Sequence, residues 1–120
     1  MTKILIVDDD GEAISGFDKY VSLTVFTAGN EKAAIKITEE EKPAIIIINA
    51  GLNEKSGFDT LRKIKRIDGT ALVIMMTDRI NRDFAMRSFK SGAYDYISTP
   101  LDFEYIERII KTVRCSKSNE

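Results

Sequence analysis

The residues of this sequence that could do chemistry follow directly after apolar runs. Asp8, Asp9 and Asp10 come after "KILIV", and Asn49 ends "AIIIIN". Like charges repel, and two carboxylates about 4 Å apart cost about 4 kcal/mol at an effective dielectric constant of about 20. A hard cation with oxygen ligands commonly offsets such repulsion, so the aspartates indicate a metal site. The alternative is that one aspartate caps a helix and the other two face water.

Polar residues also follow two later apolar runs. Thr77 ends "ALVIMMT", where its hydroxyl could bond an anionic oxygen or satisfy a neighbouring backbone group. Thr99 and Pro100 follow "YDYIS", and they form either a cis peptide in a tight loop or an ordinary turn before a helix. Tyr96 alternates with Tyr94 in that run, a pattern typical of a half-buried aromatic residue in an edge strand.

Composition excludes several classes of chemistry and of partner. The sequence has no histidine, which removes Ser-His, Cys-His and histidine-metal mechanisms, and its single cysteine, Cys115, fits a reducing cytoplasm as an inert thiol. A net charge of −1 does not favour non-specific binding to nucleic acid. No apolar run approaches the roughly 20 residues of a membrane span, and "MTKILIV" starts a strand instead of a secretory signal. We therefore expect a cytoplasmic domain without membrane or nucleic-acid contacts.

Five apolar runs predict the strands that position the polar residues. They are rich in isoleucine and valine and lack polar alternation, as in a parallel sheet covered on both faces. Five strands that alternate with five helices predict right-handed βαβ crossovers, with functional side chains at the carboxyl ends of the strands. The predicted strands are 3–7, 24–28, 44–49, 71–76 and 94–98. The predicted helices are 11–21 and those marked by Ala34 and Ile37, by Leu61, Ile64 and Ile67, by Phe84, Ser88 and Phe89, and by Ile106, Ile109, Ile110 and Val113.

Residues that favour helix ends agree with this division of the chain. Asn30 is a good N-cap before "EKAAIKI", and Asp102 can cap the last helix. Ser56 and Asp59 have the spacing of a capping box. Gly92 follows a helical segment at a place where a left-handed residue is common. The second to fifth helices are therefore marked by local signals as well as by their apolar spacing.

Taken in order, these motifs resemble those of the response-regulator receiver domain, the phospho-acceptor module of two-component signalling. "ILIVDDD" resembles the first strand with its metal-binding acidic pair, here Asp8 and Asp9. "VIMMT" resembles the fourth strand ending in the switch hydroxyl, here Thr77. "SGAYDYISTP" resembles the segment with the switch aromatic, here Tyr96.

The resemblance covers about residues 2–115 and implies an α/β fold. In this family the fold is a flavodoxin-like (βα)5 three-layer sandwich, with a five-stranded parallel sheet in the order 2-1-3-4-5. We assign residues 1–116 to a receiver-like domain and 117–120 to a C-terminal tail.

The sequence departs from the family at the residues that handle phosphate. Asn49 replaces the aspartate that takes the phosphoryl group, and an amide cannot form the acyl phosphate that a carboxylate forms. Thr99 replaces the lysine whose ammonium pairs with the phosphoryl oxygens. Removal of one partner of a buried ion pair costs about 3–5 kcal/mol, whereas loss of both leaves the charge balanced. We therefore interpret the chain as a natural pseudo-receiver. Further departures are Asn53 where the family usually has proline, and a short connection after Asp9.

The resemblance and the departures together predict a signalling module of a two-component or phosphorelay system. We expect it to be non-catalytic, independent of phosphorylation and active through protein–protein contact, because receivers commonly dimerise or dock through their fourth helix, fifth strand and fifth helix. No cofactor is required. Asp8 and Asp9, with oxygens from Asn49 and Gly51, predict that Mg²⁺ binds weakly or not at all. Another possibility is a degenerate receiver that still binds Mg²⁺ or a small anion as its signal.

A rival interpretation makes the chain an enzyme. "ILIVDDDG" is also similar to the opening motif of haloacid-dehalogenase-like phosphohydrolases, with Asp8 as nucleophile and Asp10 as acid/base. That family needs a later lysine and a downstream acidic pair, and Asp95 and Asp102 do not present that pattern.

The cations of the last helix also have two interpretations. They form either a solvated face that suits a helix C-terminus or a stripe that docks a partner.

Overall fold

The described part of the chain in the computed structural model comprises residues 2–8, 23–51 and 53–118, with side chains up to 114. The predicted first helix, 11–21, lies outside these residues. The elements are β1 (Thr2–Val7), β2 (Leu23–Ala28), α1 (Glu31–Glu41), β3 (Ile45–Asn49), α2 (Glu54–Ile67), β4 (Leu72–Thr77), α3 (Arg82–Lys90), β5 (Asp95–Ser98) and α4 (Phe103–Ser118). All five predicted strands are confirmed, each within one residue at either end. The helices predicted as second to fifth are α1 to α4.

The five strands form one parallel sheet in the order β2-β1-β3-β4-β5, as predicted. Successive side chains of a strand point to opposite faces, so the isoleucine run of β3 is divided between two cores. Ile46 and Ile48 pack with residues of α1, α2 and α3, whereas Ile45 and Ile47 pack with residues of α4. The result is a three-layer α/β sandwich of the flavodoxin type. Within the described ranges, no helix has the length and apolarity needed to cross a membrane.

Three of the predicted helix signals are confirmed. Asn30 caps α1 by accepting a hydrogen bond from the Ala33 amide at 2.8 Å, and Asp102 accepts one from the Glu104 amide at 3.0 Å at the start of α4. Gly92 has a φ of 103° directly after α3, a conformation that glycine adopts without strain. The assignment of 117–120 to a tail stays a prediction, and α4 extends through Ser118.

The predicted capping box at the start of α2 is wrong. The helix begins at Glu54, and its N-cap is Asn53, whose side-chain oxygen accepts a hydrogen bond from the Ser56 amide at 3.1 Å. Asp59 instead pairs with Arg62 on the helix surface. Because asparagine and serine are both good N-caps, their spacing alone did not decide between them.

Candidate functional site

The carboxyl ends of β1, β3 and β4 surround a cavity of about 620 Å³. Asp8, Asn49 and Thr99 line it, so the structure brings together three of the predicted site residues. Thr77 and Tyr96 are not among its lining residues. Asp9 and Asp10 lie outside the described residues, and their predicted roles therefore stay predictions.

Asn49 ends β3 and presents its amide to the cavity. Its Oδ1 is completely buried and has no hydrogen-bond partner within the described part of the chain. The following loop is held by the Ala50 amide, which donates to the Met76 carbonyl at 2.7 Å. Gly51 then turns with a φ of 48°, the left-handed conformation that favours glycine. A buried acceptor without a partner costs about 1–3 kcal/mol of folding free energy, so the burial of Asn49 Oδ1 is unfavourable.

Asp8 is held at the end of β1, in the same cavity. Its amide donates to the Ala28 carbonyl of β2 at 2.9 Å, which extends the β1–β2 pairing by one residue. The residue is only 8% exposed. Asp8 therefore adds a largely buried carboxylate to the cavity that Asn49 also lines.

Thr77 is fully buried at the end of β4, and its hydroxyl serves the backbone. Its Oγ1 accepts a hydrogen bond from the Arg79 amide at 3.1 Å. Of the two interpretations of this hydroxyl, the structure shows the satisfaction of a neighbouring backbone group. Thr99 lies beside it, because the Thr99 amide donates to the Thr77 carbonyl at 3.0 Å. The peptide between Thr99 and Pro100 is cis, the first of the two alternatives for that turn.

Tyr96 is half-buried in β5, as the alternation pattern predicted, and it faces α3. Its ring makes edge contacts with Phe84, at 6.4 Å between centroids, and with Phe89, at 5.5 Å. Phe89 is itself 53% exposed, although its spacing had marked it as part of the apolar side of the helix. Tyr96 therefore links the core of the domain to an aromatic residue on the surface.

The described lining of the cavity is acidic. It includes Asp8, Glu31 and Asp78 but no lysine or arginine. Sequence reasoning missed Glu31, which begins α1 directly after its Asn30 cap. The Glu31 carboxylate pairs with Lys63 Nζ at 2.9 Å and accepts a hydrogen bond from the Thr60 hydroxyl at 3.2 Å, so it also joins α1 to α2.

The comparison with known proteins is decisive for the family. The sequence model of the response regulator receiver domain matches residues 4–111. The chain belongs to this family. The sporulation initiation phosphotransferase F of Bacillus subtilis is 32% identical over 121 residues, which cover 98% of this chain and 97% of that protein. The receiver match does not favour the phosphohydrolase alternative.

Other relatives are longer proteins. The transcriptional regulatory protein ZraR of Klebsiella oxytoca is 31% identical over 111 residues, and the match covers 87% of this receiver domain but 24% of that relative. For the transcriptional regulatory protein KdpE of Mycobacterium tuberculosis, the match covers 52% of the relative. The chain thus spans a quarter to a half of these relatives. The crystal structure of a CheY-like receiver domain protein from Methanospirillum hungatei has the same fold, with a TM-score of 0.83, 21% identity and coverage of 100% and 99% of the two chains.

Proposed function

We propose that this receiver domain takes part in two-component signalling without accepting a phosphoryl group and without enzymatic activity. The observation that carries the proposal is Asn49 at the end of β3, at the wall of the cavity where the family places its acceptor aspartate. The amide nitrogen donates its lone pair to its own carbonyl, and the amide oxygen has no full charge. Neither atom can attack phosphorus as a carboxylate does.

The electrostatics of the cavity support the same conclusion. Thr99 lines the cavity where the family has a lysine, and the described lining contains no ammonium or guanidinium group. A phosphoryl group would therefore meet the carboxylates of Asp8 and Asp78 without a matching cation from these residues. Such like charges repel by about 1–4 kcal/mol at 4 Å, depending on the local dielectric constant.

Magnesium fits this cavity poorly. Mg²⁺ prefers a near-octahedral set of oxygens and is usually held by one or two carboxylates together with substrate phosphates and water. The described lining contains the Asp8 and Asp78 carboxylates, the Glu31 carboxylate that is paired with Lys63, and the neutral oxygen of Asn49. The described residues contain no group of three or more carboxylate, histidine or cysteine side chains that could hold a metal. We therefore propose that Mg²⁺ binds weakly or not at all and that no cofactor is needed.

Protein contact is the mode of action that the surface supports. The face predicted to dock a partner is formed by α3, β5 and α4. Three large apolar side chains remain exposed in or beside α3 and β5: Met86 at 49%, Phe89 at 53% and Tyr94 at 46%. Exposed apolar residues that lie together often mark protein interfaces. We propose that a signalling protein or a second copy of this cytoplasmic domain docks there.

A titration followed by backbone amide shifts tests the loss of the phosphoryl switch. Mg²⁺ is added first and beryllofluoride second, and a receiver domain that has both the aspartate and the lysine serves as the positive control. We expect the amides of Thr77 and Tyr96 to stay in place in this chain while those of the control move. Saturable shifts at both positions would contradict the proposal. A parallel assay on a generic phosphate ester tests for turnover, and activity abolished by Asp8→Asn would favour an enzyme.

A further inference from the structure

Helices α2 and α3 are in contact, and each carries cations in its C-terminal half. Phe58 of α2 packs against Phe84 of α3, with ring centroids 5.4 Å apart. The side chain of Lys65 lies against the end of α3, since a Cβ on Gly92 would be 3.4 Å from Lys65 Cγ. The five cations of this surface, here named the basic seam, are Arg62, Lys65, Arg66, Arg87 and Lys90.

Two arginines of the basic seam are held in place within the domain. Arg62 Nη1 donates to Ser91 Oγ at 3.1 Å, and its Nη2 pairs with Asp59. The guanidinium of Arg87 lies over the ring of Phe58, with Cζ 4.7 Å from the ring centroid. Both side chains are exposed, so their remaining N–H groups face solvent. Side chains that are already ordered lose less conformational entropy when a partner binds.

Two cations of the basic seam, Arg66 and Lys90, carry charge that the described residues do not neutralise, whereas Arg62 pairs with Asp59 and Arg87 pairs with Asp83. Together α2 and α3 have eight lysines and arginines and three aspartates and glutamates, a net charge of +5 in a chain whose net charge is −1. Arg66 and Lys90 are exposed and form no ion pair with the described residues. The helix dipole favours cations in the last turn of each helix, but it leaves their charge open to the solvent.

We propose that the basic seam docks an acidic segment of a protein partner. Guanidinium groups bind carboxylates through paired charge-assisted hydrogen bonds, and the ordered arginines offer such donors beside the free cations of Arg66 and Lys90. A protein is favoured over a nucleic acid because the chain as a whole has a net charge of −1, which does not favour the binding of a polyanion.

The basic seam lies on a different side of α3 from the face proposed above. Arg87 points to α2, where its guanidinium covers Phe58, whereas Phe89 points to β5 and contacts Tyr96. One helix can therefore hold an acidic segment on one side and an apolar surface on the other. The inference does not depend on whether Asn49 can be phosphorylated, so the two proposals fail independently.

The test measures binding of a short fluorescent peptide of alternating glutamate and leucine to the full chain. We expect saturable binding, with amide shifts concentrated in α2 and α3. The double variant Arg66→Glu/Lys90→Glu should weaken binding by about tenfold. Its matched control is Lys32→Glu/Lys36→Glu, which makes the same change of charge at exposed positions of α1 and should alter affinity less than about twofold.

Three results would overturn the assignment of the basic seam. The first is no binding of the acidic peptide, and the second is an equal loss of affinity in the α1 control, which would indicate an effect of net charge. The third is equally tight binding of a short DNA duplex with the same amide shifts, because the seam would then be a general polyanion surface. Thermal unfolding of both double variants, monitored by circular dichroism, verifies that each is folded before its affinity is compared.

Discussion

At the scale of single residues, the proposal that the domain does not accept a phosphoryl group depends on two neutral side chains in the cavity. Asn49 and Thr99 both line it, and Asp8 supplies a buried negative charge. An aspartate at position 49 would place a second carboxylate in the cavity that Asp8 lines, and like charges repel. We therefore expect positions 49 and 99 to act together, so that a change at either one alone does not restore phosphoryl acceptance.

The coupling of Asn49 and Thr99 gives a direct prediction. Asn49→Asp alone should not be stably labelled by acetyl phosphate in the presence of Mg²⁺, and it should lower the free energy of unfolding at neutral pH by about 1 kcal/mol through repulsion with Asp8. The double variant Asn49→Asp/Thr99→Lys should recover that stability because it restores a cation. Labelling followed by intact mass and urea unfolding measure the two effects. Stable labelling of the single variant would show that the lost lysine is not limiting.

A second prediction at this scale concerns a half-buried phenol, that of Tyr105. The Tyr105 hydroxyl donates to Asp95 Oδ2 at 2.6 Å and joins α4 to β5. Burial, together with the hydrogen bond to the Asp95 carboxylate, raises the pKa of Tyr105 above its ordinary value of 10.0. Tyr105→Phe should therefore cost about 1–2 kcal/mol of unfolding free energy at neutral pH.

The pH dependence of that cost follows from the direction of the pKa shift. A group whose pKa is raised in the folded state stabilises it fully below the unfolded pKa, and this stability is lost as the pH rises through the folded value. The difference between the native chain and Tyr105→Phe should thus be constant up to about pH 10 and shrink above it. Tyr94→Phe, at an exposed phenol, is the control and should show no such difference. A constant difference across the alkaline range would exclude the proposed linkage.

At the scale of helices and strands, local sequence was sufficient for most of the fold. Each strand is an apolar run long enough to be covered on both faces, which is why all five were predicted within one residue. Two details depended on tertiary structure. The start of α2 depends on whether the preceding loop places Asn53 or Ser56, both good N-caps, at the helix end, and the structure places Asn53 there. Glu31 joins the cavity because α1 begins at its rim, and no local signal reports that neighbour.

The N-cap of α2 can be tested by a matched pair of variants. Asn53→Ala removes the acceptor of the Ser56 amide and should lower the free energy of unfolding by about 1 kcal/mol. Ser56→Ala removes a hydroxyl of a residue already inside the helix and should change it by less than about 0.5 kcal/mol. Urea unfolding of both variants measures the difference. If Ser56→Ala proved the more costly of the two, the helix would begin later than the structure shows.

At the scale of the whole molecule, α3 separates two surfaces of different chemistry. Its α2 side is basic and its β5 side is apolar. On the β5 side, the ring of Tyr96 contacts both the buried Phe84 and the exposed Phe89. Spacing in the sequence grouped Phe84 and Phe89 together because both are apolar. Only the packing shows that Phe84 is fully buried while Phe89 remains half in solvent.

The apolar side of α3 leads to the last prediction, that Phe89→Glu blocks association through the α3–β5–α4 face. Burial of an aromatic side chain is a strong driving force at an interface, and a buried unpaired carboxylate opposes it. The variant should lower the unfolding free energy only slightly, because it loses one edge contact of about 0.5–1.5 kcal/mol with Tyr96. Sedimentation equilibrium at rising concentration measures self-association, with Ile67→Glu, outside that face, as the control. If both variants associate as the native chain does, self-association does not use this face. If the native chain is monomeric, the partner proposed for this face is a different protein.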